Sequence, residues 1–421
     1  MIVLFQNKMR NFTFIFIFLL FSCSKEVIED SIPPVTVDLV DWSKSSYQTF
    51  DIKYPLNSSH LIEYSDSWSN GFVYGSNFIT VDYNNDGYDD LISFKGEFSG
   101  IVDQPAGYTG YEKKNLIKFK KGNKDGTLST DELNNDKFLG LVHGRKILLG
   151  DFNKDNYVDL FLIGHGYDKQ PFPGEFPKVL LSDGVGGFLE TDYTNLVSFY
   201  HGGSSGDIDN DGDLDVVLVD AGRGKSVIFE NINGQFYPHT DRIDNNDMNQ
   251  QYNSELFDVD NDGFLDLVVG GHDWLYNSLE YNNTPLIIFG DGIDFVNNRK
   301  LRLPASSISG QGIVTNFEFI DIDNDSTVEI LLTRTGDNIT SNSNFYKGWS
   351  IQILKLVDGQ YLDYTEQFID VNYGSGQWIV WTKLKDIDND GKLELFNSVN
   401  PYKNSINYHE WELVGGKFIK K

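Results

Sequence analysis

The sequence predicts an all-β protein, a β-propeller of four-stranded blades, seven (or six) of them. Three observations carry this. One short acidic loop occurs six times along the 421 residues. Each copy sits between short runs rich in β-branched and aromatic side chains. A hairpin signal follows most copies. Four-stranded units repeated around an axis form a propeller.

The loops begin at Asp82, Asp151, Asp207, Asp258, Asp321 and Asp386, and all six fit D-x-[DN]-x-D-[GNS]-x-x-[DE]. Side chains at positions 1, 3, 5 and 9, with the carbonyl at position 7, should point at one centre. In the first three loops these side chains are Asp82, Asn84, Asp86 and Asp90; Asp151, Asn153, Asp155 and Asp159; Asp207, Asp209, Asp211 and Asp215. In the last three they are Asp258, Asp260, Asp262 and Asp266; Asp321, Asp323, Asp325 and Glu329; Asp386, Asp388, Asp390 and Glu394. Hard oxygen donors crowded in this way suit Ca²⁺, so up to six structural Ca²⁺ ions are expected. Without metal, the carboxylates of each loop should repel one another. Position 6 needs a sharp turn and holds Gly87, Gly212, Gly263 and Gly391, with Asn156 the next most tolerant choice. Ser326 fits that position least well, which predicts that the fifth site is the weakest.

The flanks read as strands. Phe78-Ile79-Thr80-Val81 precedes the first loop and Leu91-Ile92-Ser93-Phe94 follows it. Lys146-Ile147-Leu148-Leu149 and Leu160-Phe161-Leu162-Ile163 bracket the second, and Phe317-Glu318-Phe319-Ile320 and Ile330-Leu331-Leu332-Thr333 the fifth. Such runs, bounded by turn formers, are strand signals. An EF-hand is excluded, because it needs a helix on either side and a Glu at position 12. Hairpins should follow, with turns at Gly184, Gly234, Asp291-Gly292 and Asp358-Gly359.

These loops and hairpins resemble the FG-GAP/VCBS repeats, related to the N-terminal propeller of integrin α subunits. The resemblance covers roughly residues 70 to 421, and the propeller domain is placed at 36–421. It implies structural calcium and a role in binding rather than catalysis. Six motifs imply six blades. Residues 36 to 70 are expected to supply a seventh, degenerate blade or a closing strand, since integrin-type relatives have seven.

The N-terminus reads as a targeting segment. Lys8 and Arg10 precede an apolar run, Phe12 to Phe21, too short to span a bilayer. Leu20-Phe21-Ser22-Cys23 resembles a bacterial lipobox, with Phe21 bulky for the motif, and Cys23 is the only cysteine. The expectation is a lipoprotein signal peptide over 1–22, lipidation at Cys23 and an acidic tether over 23–35. A plain secretion signal with an incidental cysteine is the alternative. Acidic residues just after Cys23 resemble export signals for surface lipoproteins, so the expected location is the bacterial outer membrane, lipid-anchored and surface-exposed. A single cysteine permits no internal disulfide, which leaves cross-linking to calcium.

The net charge of −28 disfavours nucleic acid as a partner. Ligands are expected on the face opposite the acidic loops. There the topology gathers His143, Arg145, His165, His201, Arg223, His272, Trp274, Arg334 and Trp378. His165 and His272 share one offset beyond their loops. This set suits an extracellular glycan or protein, held by Arg and His contacts and aromatic stacking. No G-x-S-x-G, H-E-x-x-H or Walker A motif is present. The alternative is a polysaccharide lyase or other glycan-active propeller enzyme, with His165, His201 or His272 as base. No spacing singles out a base.

Overall fold

The computed structural model describes residues 78–88, 90–94, 117–125, 127–134, 141–167, 170–191, 196–222, 224–248, 251–273, 284–296, 299–337, 346–377, 382–385, 390–397 and 409–421. The signal peptide, Cys23, the tether and the expected extra blade over 36–70 lie outside the described residues, as do Arg223, Trp274, Trp378, Asp386 and Asp388.

Six antiparallel blades follow one another along the chain. The first is β1 (Phe78–Val81), β2 (Asp90–Phe94), β3 (Ile117–Gly122) and β4 (Leu128–Thr130). The second is β5 (Gly144–Gly150), β6 (Asp159–Gly164), β7 (Lys178–Ser182) and β8 (Phe188–Thr191). The third is β9 (Tyr200–Gly206), β10 (Asp215–Asp220), β11 (Val227–Ile232) and β12 (Gln235–His239). The fourth is β13 (Gln251–Phe257), β14 (Asp266–Gly271), β15 (Leu286–Ile288) and β16 (Lys300–Arg302). The fifth is β17 (Ile313–Ile320), β18 (Glu329–Thr335), β19 (Lys347–Val357) and β20 (Gln360–Asp363), with β21 (Tyr373–Gln377) also paired to β19. The sixth is β22 (Thr382–Lys385), β23 (Glu394–Asn397), β24 (Glu410–Val414) and β25 (Lys417–Lys420). Among the described residues no helix is long and apolar enough to cross a membrane. The described residues form six blades.

Every acidic loop joins the first and second strands of its blade, and its ninth residue opens the second strand. Three hairpins turn in two residues with positive φ, at Asn233-Gly234, Asp358-Gly359 and Gly415-Gly416. That geometry matches the twist of the flanking strands. The fourth blade departs from expectation. Its chain does not turn tightly at Asp291-Gly292; β16 begins only at Lys300. The detour carries Phe295 into a fully buried position beside Ile243. Burial of one aromatic ring outweighs a minimal turn here.

The core lies between blades. Phe161 and Phe229 pack with Phe152 and Phe236 between the second and third blades. Phe236 meets Phe152 and Phe161 edge-on, with centroids 5.6 and 5.2 Å away. The second residue of each described loop is a core anchor: Tyr83, Phe152, Ile208, Val259 and Ile322 are all buried. The loop is therefore clamped by hydrophobic burial on one side.

The first strands line the axis. Lys146 on β5 pairs with Glu255 on β13, and its ammonium lies 3.4 Å from Asn253 Oδ1. That contact skips a whole blade, which only a closed curvature allows. Asn253 in turn donates to Asn316 Oδ1 at 3.4 Å, and Asn316 donates to the Thr382 carbonyl at 2.9 Å. A polar chain thus crosses from the second blade to the sixth. Close approach at the axis needs small residues. A Cβ on Gly203 would lie 2.5 Å from the Val217 carbonyl and 2.7 Å from Ile163.

Candidate functional site

The acidic loops are wound by their own backbone. In the second loop Asp151 Oδ1 accepts the Asp155 N–H at 2.9 Å and its Oδ2 accepts the Asn156 N–H at 2.8 Å. The same pair of bonds recurs from Asp82, Asp207, Asp258 and Asp321. Position 6 has positive φ in all six loops, from 68° at Ser326 to 91° at Gly263. Position 4 is also left-handed, at Asn85, Lys154, Asn210, Asn261 and Asn324. The asparagines there were a readable signal, since Asn tolerates this conformation better than most residues.

The ninth side chain has a different task. Asp215 accepts the Ile208 N–H at 3.1 Å and the Asn231 N–H at 2.8 Å, so one carboxylate ties its own loop to the third strand. Asp90, Asp159 and Asp266 repeat this with Tyr83 and Gly122, Phe152 and Ser182, and Val259 and Gly290. Burial, with the neighbouring loop carboxylates adding to it, pushes Asp90 and Asp215 up to about 8 and Asp159 and Asp266 up to about 7.

The donor set fits a hard cation. Carboxylate oxygens of Asp207, Asp209 and Asp211, of Asp258, Asp260 and Asp262, and of Asp321, Asp323 and Asp325 lie within 4.8 Å of one another. Asp209 Oδ1 is buried with no hydrogen-bond donor. A divalent ion would satisfy that oxygen and offset the clustered charge.

Side-chain cations already approach some loops. Arg299 reaches Asp260 at 2.9 Å and Asp262 at 3.4 Å, from a side chain 52% exposed. Lys355 enters the fifth loop more deeply. Its ammonium lies 2.8 Å from Asp323, 2.6 Å from Asp325 and 3.1 Å from Glu329.

At the other ends of the same strands lies a second cluster. The first strands of four blades each carry a one-residue bulge near their start. The extra residue is Arg145 in β5, His201 in β9, Tyr252 in β13 and Thr315 in β17. Each stands six residues before the first Asp of its loop. A bulge redirects its side chain, and here it does so at one place in successive blades. His201 stacks on Tyr252 at 4.4 Å and on His165 at 4.7 Å. His165 in turn meets His143 at 4.0 Å and stacks on Phe199 at 4.2 Å. The Tyr252 hydroxyl lies 2.8 Å from His272 Nε2. The result is a ladder of rings across three blades, with Arg145 beside it.

Burial sets the chemistry of this ladder. It holds His143 and His272 down at about 3, and it keeps His165 and His201 well below the usual imidazole range, with Arg145 adding to the effect at His143, His165 and His201 and neighbouring imidazoles adding at His165 and His201. All four rings are neutral near pH 7. Two polar atoms in the group, His201 Nδ1 and Arg145 Nε, are buried with no hydrogen-bond partner.

The structure therefore brings together His143, Arg145, His165, His201 and His272 from the sequence-derived set. Arg334 takes no part in this ladder. That guanidinium is fully buried, with donors committed to Asp273 at 2.6 Å, Gln352 at 2.8 Å and the Pro304 carbonyl at 3.3 Å. Phe199 was not singled out by sequence reasoning. Its signal was its place eight residues before a loop, the same as His143.

The FG-GAP-like repeat family model matches residues 207–269, from the third loop to the second strand of the fourth blade. No curated protein matches the sequence. Among solved structures, the chain is similar to an Agrocybe aegerita lectin described as recognising non-reducing terminal N-acetylglucosamine, at 14% identity and TM-score 0.47, over 82% of this chain and 79% of that one. It is similar to an arabinoxylan arabinofuranohydrolase from Bacillus subtilis at 10% identity and TM-score 0.36, over 83% and 67%. It is similar to a rhamnogalacturonan lyase from Bacillus licheniformis at 12% identity and TM-score 0.34; there it covers 83% of itself but spans only 57% of the lyase.

Proposed function

With the chain an FG-GAP-repeat β-propeller of six described blades, we propose that it is a lipid-anchored binding module of the bacterial outer membrane. Calcium in the acidic loops stiffens the blades. The face opposite those loops takes an extracellular glycan or protein. The lipid anchor is Cys23.

One observation carries the reading: the bulge repeated at Arg145, His201 and Tyr252 aims a cation, an imidazole and a phenol at one place. A bulge interrupts the ladder, and its repetition at one register points to selection for what the side chains reach. The unpartnered His201 Nδ1 and Arg145 Nε give a ligand something to satisfy. Neutral rings favour stacking and hydrogen bonding over proton transfer. A general base works best with a pKa near the operating pH, and burial takes His143 and His272 to about 3. Binding is therefore preferred over lyase chemistry.

The test is size-exclusion chromatography of a soluble form beginning at residue 31, in calcium buffer, with a panel of acidic and neutral polysaccharides. Co-elution of an intact polymer, lost in an Arg145→Ala, His201→Ala double variant, is the expected result. A shortened polymer would make the protein an enzyme. No effect on any polymer would move the reading to a protein partner.

A further inference from the structure

We propose that the fifth loop supplies its own cation: the ammonium of Lys355 sits where a metal ion would sit, and blade five closes without metal. This rests on the calcium reading of the other loops. It would make the fifth loop a permanently filled site rather than a weak one.

The contacts are those of a centred ion. Lys355 Nζ lies within 3.1 Å of carboxylates from positions 3, 5 and 9 of one loop, Asp323, Asp325 and Glu329. Its side chain is only 13% exposed, and the ammonium lies 5.7 Å from the Phe368 ring centroid. An ammonium on three carboxylates satisfies its donors and offsets their repulsion. It would also repel a dication from the same place.

Strand register explains how the lysine reaches the loop in the fifth blade. Ile330 pairs with Leu354, so Glu329 stands opposite Lys355. The residues opposite the ninth position in the other blades are Lys121, Leu181, Glu230, Phe289 and Glu412. Lys121 is the other cation among them, and it approaches Asp131 at 3.8 Å. In the first four blades one oxygen of the ninth carboxylate accepts an N–H from the third strand or, in the fourth blade, from Gly290 just past it. In the fifth, Glu329 Oε2 keeps the Ile322 N–H at 2.7 Å while Oε1 accepts Lys355. Arg299 in the fourth loop is a weaker relative. It is half exposed, and it pairs with positions 3 and 5, Asp260 and Asp262.

The test compares the full chain with Lys355→Met. Both are stripped with chelator, given calcium, and counted by native mass spectrometry. The expected result is one more Ca²⁺ per chain in Lys355→Met than in the parent. Its melting temperature should fall in chelator and recover with calcium, while the parent's fifth blade shows no calcium-dependent hydrogen exchange. Equal, non-zero stoichiometry overturns the proposal. If the parent binds no calcium at all, the calcium reading of the other loops fails, and a chelator-only cycle of Lys355→Met and Asp323→Asn decides the lysine. Losses that are less than additive support the internal ion pair; strictly additive losses overturn it. Lys355→Arg keeps the charge, guards against misfolding of the Met variant and should gain no calcium.

Discussion

Arg334 Nη1 lies 2.6 Å from Asp273 Oδ2, and the two side chains, on different blades, are 0% and 7% exposed. A buried pair of this kind fixes the fifth blade against the end of the fourth. Removing one partner leaves a desolvated charge. Arg334→Ala should lower stability by about 3–5 kcal/mol, measured by urea unfolding. Asp273→Ala should cost a similar amount, and the double variant less than the sum. Additive losses would mean that the two residues act separately.

Asp215→Ala should destabilise the third blade even in calcium-free buffer. It strips the acceptor from two buried N–H groups, those of Ile208 and Asn231. Each unsatisfied group costs about 1–3 kcal/mol. Hydrogen exchange should quicken first over β9 to β11. A variant as stable as the parent in chelator would show that the ninth carboxylate serves only metal.

The metal-free protein should lose stability as pH rises from 6.5 to 8.5. The sign follows from burial of the ninth carboxylates. Asp90 and Asp215 are raised to about 8, and Asp159 and Asp266 to about 7, from 3.8. The folded chain then holds protons that the unfolded chain has released. The stabilising contribution is complete below the unfolded value and is lost as pH climbs through the folded ones. Calcium should raise the melting temperature and flatten this slope. The buried histidines act in the opposite sense on the acid side. Their contribution is complete above 6.5 and fades as pH falls towards about 3 for His143 and His272. Melting curves in chelator and in millimolar calcium from pH 6.5 to 8.5 check the first sign, since below 6.5 the two contributions oppose each other. A chelator curve that rises from 6.5 to 8.5 would contradict the first.

Gly203→Ala should cost about 1–3 kcal/mol through overpacking. The new Cβ would meet the Val217 carbonyl, Leu218 and Ile163, all within 2.7 Å. Chemical denaturation measures this. A neutral substitution would mean that the axis can widen.

The sequence by itself determined the repeat, the strand-loop-strand unit and the four carboxylate or amide positions of each loop. These are local properties, set by residue type at fixed spacing and by the turn at position 6. It also placed His143, Arg145, His165, His201 and His272 on one side of the molecule, because strand alternation and loop position fix which end of a blade a residue reaches. Only the tertiary structure decided which of them meet. The bulges at Arg145, His201 and Tyr252 arise where paired strands differ by one residue, and no single strand records that mismatch. Arg334 passed as a loop cation until folding enclosed it beside Asp273. Nothing local marks Lys355, since its partner Glu329 lies 26 residues earlier and only the pairing register brings them face to face.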